Sequence, residues 1–317
     1  MLSVHLESGA VSVRRAPRPR RPAGYSLIRL RLGGICNTDL ELQRGYYGFC
    51  GRPGHEFVGE VEASDNRALV GQRVVGEINL ACRRCDWCKR GLGRHCPTRK
   101  VLGIVNQPGA FARWFVLPDC NLHVVPDRVP DRHAVFAEPL AAACQILDQV
   151  KIPPREEVAV LGDGKLGLLI AQVLQAHGAK VVQFGRHAEK LRIAEAAGVS
   201  TVCNAKRLPV KAFNYVVDAS GSAAGLASAI GMTSPRGTVI MKSTVHNLIP
   251  VNTAPVIVDE LTLIGSRCGR MEPALRVLGQ GKLRLDEMIA DTYALECAPQ
   301  AFSYAGSSGV LKVLVMG

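Results

Sequence analysis

The 317-residue sequence is poor in aromatic residues, at 5%, and in charged residues, at 21%. No stretch approaches the roughly 18 consecutive apolar residues that would cross a bilayer, so no membrane span and no membrane partner are expected. The amino end, MLSVHLESGAVSVRRAP, lacks the basic, then apolar, then small-residue order of a secretory signal. A cytoplasmic protein is expected. Internal repeats and low-complexity tracts are absent, apart from one Arg/Pro stretch, Arg14 to Pro22. Hydrophobic residues make up 47% of the chain and are spread along its length, which excludes intrinsic disorder. At roughly 100 to 200 residues per domain, two packed domains are expected.

Acidic residues are scarce beside basic ones: 27 Asp and Glu against 39 Lys and Arg leave a net charge of +12. Such a balance fits a polyanionic partner. The Arg14 to Pro22 stretch holds five arginines and reads as a solvated loop before a strand. Eleven cysteines are an odd number for a disulfide framework. In a cytosolic chain, clustered cysteines point instead to metal or catalysis.

The texture changes along the chain. SLIRLRL (Ser26 to Leu32) alternates as a strand does, and residues 33 to 120 are rich in Gly, Cys and short β-like runs such as FVGEVEA and GQRVVGE. From Glu157 onward, six short apolar runs alternate with helical patterns: VAVL, VVQF, TVC, YVVD, TVIM and LTLI. That alternation predicts an α/β fold, a Rossmann-type doubly wound parallel sheet over 126–264. Residues 1–125 and 265–317, which end in the strand-like GVLKVLV, are expected to form an irregular β domain. The first helix places Leu166, Leu169, Ile170, Val173 and Leu174 on one face and stops at Gly178.

Between the first strand and that helix lies GDGKLG. Gly162, Gly164 and Gly167 stand in GxGxxG spacing around Lys165 and Leu166. The first glycine permits a tight turn, the second lets backbone approach a pyrophosphate, and the third lets helix and strand pack closely. A dinucleotide site is therefore expected. At the end of the second strand, Gly185 and Arg186 stand where an NAD site would place a carboxylate. Arg186 offers a planar cation for a 2′-phosphate, so NADP is expected in preference to NAD.

Cys82, Cys85, Cys88 and Cys96 read CxxCxxC, seven residues, then C. Four thiolates on one short lobe suit a closed, structural zinc. A bacterial ferredoxin run has only about three residues before its Cys-Pro, which counts against an iron–sulfur cluster. Arg83, Arg84, Lys89, Arg90 and Arg94 surround the lobe and offset a tetrathiolate charge. A second set is Cys36 in GICNTDL and His55-Glu56 in PGHEFVGE, with Glu138 in AEPLAAA as a candidate fourth ligand. Mixed S, N and O donors from distant segments suit a catalytic zinc with an exchangeable position. Singly, Cys36 also reads as a small apolar residue and His55-Glu56 as a surface pair.

GGICNTDLE, PGHEFVGE, the four-cysteine lobe, FAEPLAAA, VLGDGKLG, VVDASGS and ELTLIGSRCG occur in this order over essentially the whole chain. In this the chain resembles the zinc-dependent medium-chain alcohol dehydrogenases, and AEPLA makes it look closer to their polyol, sugar and threonine branch. The resemblance implies a GroES-like catalytic domain built from both chain ends, a Rossmann domain, and an active site in the cleft between them. It further implies that Cys36 and His55 bind the catalytic zinc, joined by Glu56 or Glu138 directly or through water. Asp39 would orient the site, Thr38 would take the substrate hydroxyl proton, and Lys312 would approach the cofactor pyrophosphate. Hydride transfer between an alcohol or polyol and NAD(P), in a homo-dimer or homo-tetramer, is the implied activity.

Some positions depart from the family pattern. Asn37 is often Gly or His, Gln72 replaces an aspartate, and Glu41 stands where several members end their proton relay in histidine. The segment between Cys36 and His55 is slightly short. A zinc-free quinone or enoyl reductase of the same superfamily would have no use for Cys36, His55, Glu56 and the lobe. A zinc-ribbon nucleic-acid binder would leave GDGKLG and the six-strand pattern unexplained, so no nucleic-acid partner is expected. The remaining cysteines, Cys50, Cys120, Cys144, Cys203, Cys268 and Cys297, read as mostly buried fillers. Tyr46, Tyr47 and Phe49 fit either a substrate pocket or loop packing, and His246 a loop after the fifth strand.

Overall fold

The computed structural model describes residues 1–244 and 248–317, so the expectation for His246 lies outside the described residues. The chain forms two compact units. Met1–Glu138, Met271–Gly279 and Met288–Gly317 make the first, and Pro139–Arg270 with Gln280–Glu287 make the second.

The first unit is built on a seven-stranded sheet. Its order is Leu122–Val124, Arg73–Gly76, Glu56–Ala63, Tyr25–Gly34, Lys312–Met316 and Ile289–Ala294, with Trp114–Pro118 also pairing to Tyr25–Gly34. Alternation explains the long Tyr25–Gly34 strand: Ile28 and Leu30 are buried while Arg29 between them is exposed. Phe57 and Phe115 pack edge to face in this core, ring centroids 4.8 Å apart. The C-terminal strand enters beside Tyr25–Gly34, and the register sets Gly34 opposite both Glu56 and Leu314. That register brings residues distant in sequence to one place.

An N-terminal hairpin, Leu2–Glu7 with Ala10–Arg15, leads into the arginine stretch. Arg14 and Arg15 end the second strand of that hairpin rather than lying in a loop, and the remainder of the stretch, largely exposed, is also anchored. Arg14 pairs with Glu7, Arg18 with Glu62 and Arg21 with Asp65, and Arg18 stacks 4.9 Å over the Trp114 ring. A small three-stranded sheet, Asn79–Leu80, Lys100–Leu102 and Asn106–Gln107, carries the four-cysteine lobe.

The second unit holds a six-stranded parallel sheet of Glu157–Leu161, Lys180–Gly185, Ser200–Cys203, Phe213–Asp218, Thr233–Met241 and Thr262–Gly265. Counted along the chain, these lie in the order third, second, first, fourth, fifth, sixth. The reversal beside the first strand is the switch point at which such sheets bind ligands. The helix Lys165–His177 covers the sheet and ends at Gly178, whose left-handed φ of 104° suits a residue without Cβ. Its buried stripe is wider than the periodicity predicts: Leu168 is fully buried and Leu166 only half-buried. Among the described residues, no helix is long and apolar enough to cross a membrane.

Candidate active site

The strand Tyr25–Gly34 runs through Ile35 into Cys36, which forms the N-cap of the helix Asn37–Gln43. Asp39, in the first turn of that helix, is fully buried and turns back on the loop. Its Oδ2 accepts the Cys36 N–H at 2.9 Å and its Oδ1 the Gly54 N–H at 3.0 Å. One carboxylate therefore spans the two segments that carry Cys36 and His55.

Ligand atoms of Cys36, His55 and Glu56 lie within 4.8 Å of one another. His55 and Glu56 are buried. His55 Nδ1 faces Asp39 Oδ1 at 3.6 Å, too long for a hydrogen bond, and has no other partner among the described residues. Burial lowers the imidazole pKa, but Asp39 and the Cys36 sulfur raise it more, so it stands well above its ordinary value. The field that favours a proton there also favours a divalent cation, and the S, N and O donors are those zinc accepts. Glu138 opens the helix Ala137–Gln149 and is not part of this group. Thr38 is half-buried, and Glu41 pairs with Arg44 at 2.6 Å.

Lys312, expected near a pyrophosphate, is buried, and its ammonium lies on Glu56 Oε2 and 5.7 Å from the Phe136 ring centroid. Burial lowers its pKa, while Glu56 and the Cys36 sulfur raise it by more; the lysine stays charged. Gly34 makes room for this pair, since a Cβ there would come 2.5 Å from Glu56 Oε2. The sequence carries a signal for the contact only in the Gly33-Gly34 doublet.

Sulfurs of Cys82, Cys85, Cys88 and Cys96 form a second group within 4.8 Å. Backbone N–H groups of Arg84 and Cys85 pull the Cys82 thiol down to about 6, whereas desolvation and its neighbours push Cys88 up to about 12. Four cysteine sulfurs this close could hold a tetrahedral zinc. Of the basic residues around the lobe, Lys89 lies 3.8 Å from Asp86 and Arg90 stacks over Trp87.

In the second unit, a cavity of about 430 Å³ opens at the switch point, lined among others by Gly162, Asp163, Gly185, Arg186, Ser220 and Gly225. Gly162 has φ 110°, and a Cβ on it would meet the Ala219 carbonyl at 2.5 Å. Gly167 packs on the Gly162 carbonyl, which the buried Gln183 also holds at 2.8 Å. Gly164 starts the helix with no side-chain cap and with open space around it. A helix start without a side-chain cap suits a pyrophosphate. Lys165 and Leu166 are half-buried in the first turn, and Arg186 is exposed at the cavity rim. Sequence reasoning missed Asp163, whose carboxylate reaches the backbone of Arg186 and His187. It missed Asp218 as well, which accepts from Ser220 and Ser243 and shapes the loop beside the cavity. An acid inside the glycine turn was the available signal for Asp163.

The alcohol dehydrogenase GroES-like domain matches residues 22–127, and the zinc-binding dehydrogenase family matches residues 166–279. D-altritol 5-dehydrogenase of Agrobacterium fabrum is 31% identical over 277 residues, covering 82% of this chain and 82% of that protein. The chain belongs to the zinc-dependent medium-chain alcohol dehydrogenase family. A sorbitol dehydrogenase of this family, from Halalkalibacterium halodurans, is 27% identical over 97% of this chain and 96% of its own length. A zinc-binding dehydrogenase from Sinorhizobium meliloti, solved bound to NADP, superposes with a TM-score of 0.93 at 26% identity over 100% of this chain and 99% of its own. As a medium-chain alcohol dehydrogenase, the protein is an oxidoreductase that transfers hydride between an alcohol, or the matching carbonyl, and a nicotinamide cofactor. The GroES-like and Rossmann-type parts expected from the sequence are both present.

Proposed function

We propose that the first unit is the catalytic zinc-binding domain and the second the dinucleotide-binding domain of a polyol dehydrogenase. The observation that carries this reading is the convergence of Cys36, His55 and Glu56 beside Asp39. Cys36, His55 and Glu56 are the proposed ligands of a catalytic zinc, and Glu138, outside their group, acts through water. Zinc held there supplies a Lewis acid that lowers the pKa of a substrate hydroxyl and polarises a carbonyl in the reverse direction. Asp39, which accepts the Cys36 and Gly54 N–H groups and faces the His55 imidazole, orients the two segments that carry the ligands. Thr38, two residues after Cys36, takes the hydroxyl proton. Glu41, paired with Arg44, does not extend the relay as a histidine would. Cys82, Cys85, Cys88 and Cys96 hold a second, structural zinc. The polyol class is supported by the relatives that act on sorbitol and altritol.

Cofactor binding is assigned to Gly162, Gly164, Lys165, Leu166, Gly167 and Gly185, with Arg186 favouring NADP over NAD. Lys312, buried on Glu56, is left out of this set. The proposed compartment is a reducing cytoplasm, where the cysteines assigned to zinc stay available to the metal. Exposed Leu263 on the outermost strand, with Ile257 and Val258 nearby in sequence, suits association into a homo-dimer or homo-tetramer. The test is substitution: Cys36→Ser or His55→Ala should abolish turnover of a polyol panel while cofactor binding and the lobe zinc persist. Retained turnover would overturn the zinc assignment, and a lower Michaelis constant for NAD than for NADP would overturn the cofactor preference.

A further inference from the structure

Asp163 belongs to the glycine turn, yet its carboxylate ends at the tip of the second strand. Its Oδ2 accepts the backbone N–H of Arg186 at 2.7 Å and that of His187 at 2.7 Å, and lies 3.0 Å from His187 Nδ1. Gly185 provides the space, because a Cβ there would come 2.7 Å from Asp163 Oδ2. Asn204 holds the same turn from the third strand, donating to the Arg186 carbonyl at 3.2 Å. The Asp163 side chain is nearly buried; burial raises its pKa, but the two N–H groups and His187 lower it further, so it is an anion at neutral pH. Asp163, Gly185, Arg186, His187 and Asn204 all line the cavity.

In a doubly wound nucleotide-binding sheet, the end of the second strand is where the 2′ position of the adenosine ribose is recognised. A carboxylate there accepts from a 2′-hydroxyl, and a nearby arginine accommodates a 2′-phosphate. By sequence this chain has only the arginine. By structure it has both, because the turn delivers the acid that the strand lacks. We propose that Asp163 is a specificity-determining residue that opposes Arg186. It occupies two N–H donors that a 2′-phosphate would otherwise use, and it sets a negative charge beside the phosphate position. The exposed Arg186 guanidinium pulls the other way, so the chain separates NADP from NAD less sharply than Arg186 alone would. The inference rests on the assignment of Arg186 to the 2′-phosphate given above.

The experiment measures dissociation constants of NADP and NAD for the full-length zinc-loaded protein, by calorimetry, in wild type, Asp163→Asn and Arg186→Gln. Asparagine keeps an oxygen for the two N–H groups and removes the charge. Asp163→Ser, smaller and also uncharged, covers the case in which Asn crowds Gly185. The ratio of NAD to NADP dissociation constants should rise about tenfold in the Asp163 variants, the scale of one charge contact near a protein surface. It should fall in Arg186→Gln. An unchanged or lowered ratio in both Asp163 variants would overturn the inference. Equal weakening of both cofactors would do the same, because it would mean that the carboxylate only holds the turn. A ratio unmoved by Arg186→Gln would remove the Arg186 assignment, and that outcome is read in a separate variant.

Discussion

The Asp39 carboxylate faces the His55 imidazole across 3.6 Å while its two oxygens take the N–H groups of Cys36 and Gly54. Removing it frees both ligand-bearing segments at once. Asp39→Ala should lower zinc affinity at this centre about 10- to 100-fold, the usual cost of losing a group that orients a metal ligand. Metal content after dialysis against graded chelator checks this, with the four-cysteine zinc as internal reference. Equal retention by variant and wild type would remove Asp39 from the site.

Lys312 and Glu56 form a buried pair. Breaking a buried pair strands a charge, which costs about 3–5 kcal/mol, whereas replacing both partners is far milder. Lys312→Met should therefore lower the thermal midpoint strongly, and Lys312→Met with Glu56→Gln should recover part of the loss. Additive losses in the double variant would show that the two side chains act independently.

The lobe cysteines have no neighbour from the catalytic set in their group. Cys88→Ser should cost about one equivalent of zinc per chain and destabilise the lobe, since closed zinc sites contribute folding energy directly. The outcome that counts against a separate structural site is loss of both zinc equivalents together.

Asp131 accepts from Arg73 at 2.8 Å and from Arg31 at 2.5 Å. Burial raises its pKa, but these guanidinium groups lower it by more. A depressed folded pKa means that the stabilisation is present above the unfolded value, about 3.9, and is lost as pH falls through the folded one. Urea midpoints of wild type should thus fall more steeply than those of Asp131→Asn below about pH 4. Parallel profiles would mean that the network adds nothing.

Much of the fold was legible. Each of the six apolar runs after Glu157 became a strand of the parallel sheet; the central ones, buried by the layers on both faces, leave their mark in consecutive apolar residues. GDGKLG was legible for the same reason, its three glycines answering local needs of turn and packing. The donors Cys36, His55 and Glu56 were visible as residue types, and the four-cysteine spacing as a pattern. Not legible was the anchoring of the arginine stretch: Arg18 and Arg21 reach Glu62 and Asp65, 44 residues further along the chain. Leu166 and Leu168 exchanged degrees of burial because one helical period cannot register a second covering surface.

By itself, the sequence determined the element types, the glycine turn and the inventory of thiol, imidazole and carboxylate donors, all of which depend on residues a few positions apart. Only the tertiary structure decided which charges meet. Lys312 reaches Glu56 because Gly34 pairs with both of their strands, and Asp163 reaches His187 because the first strand lies beside the second. Such pairings depend on register between separate strands, and spacing along a chain does not encode register.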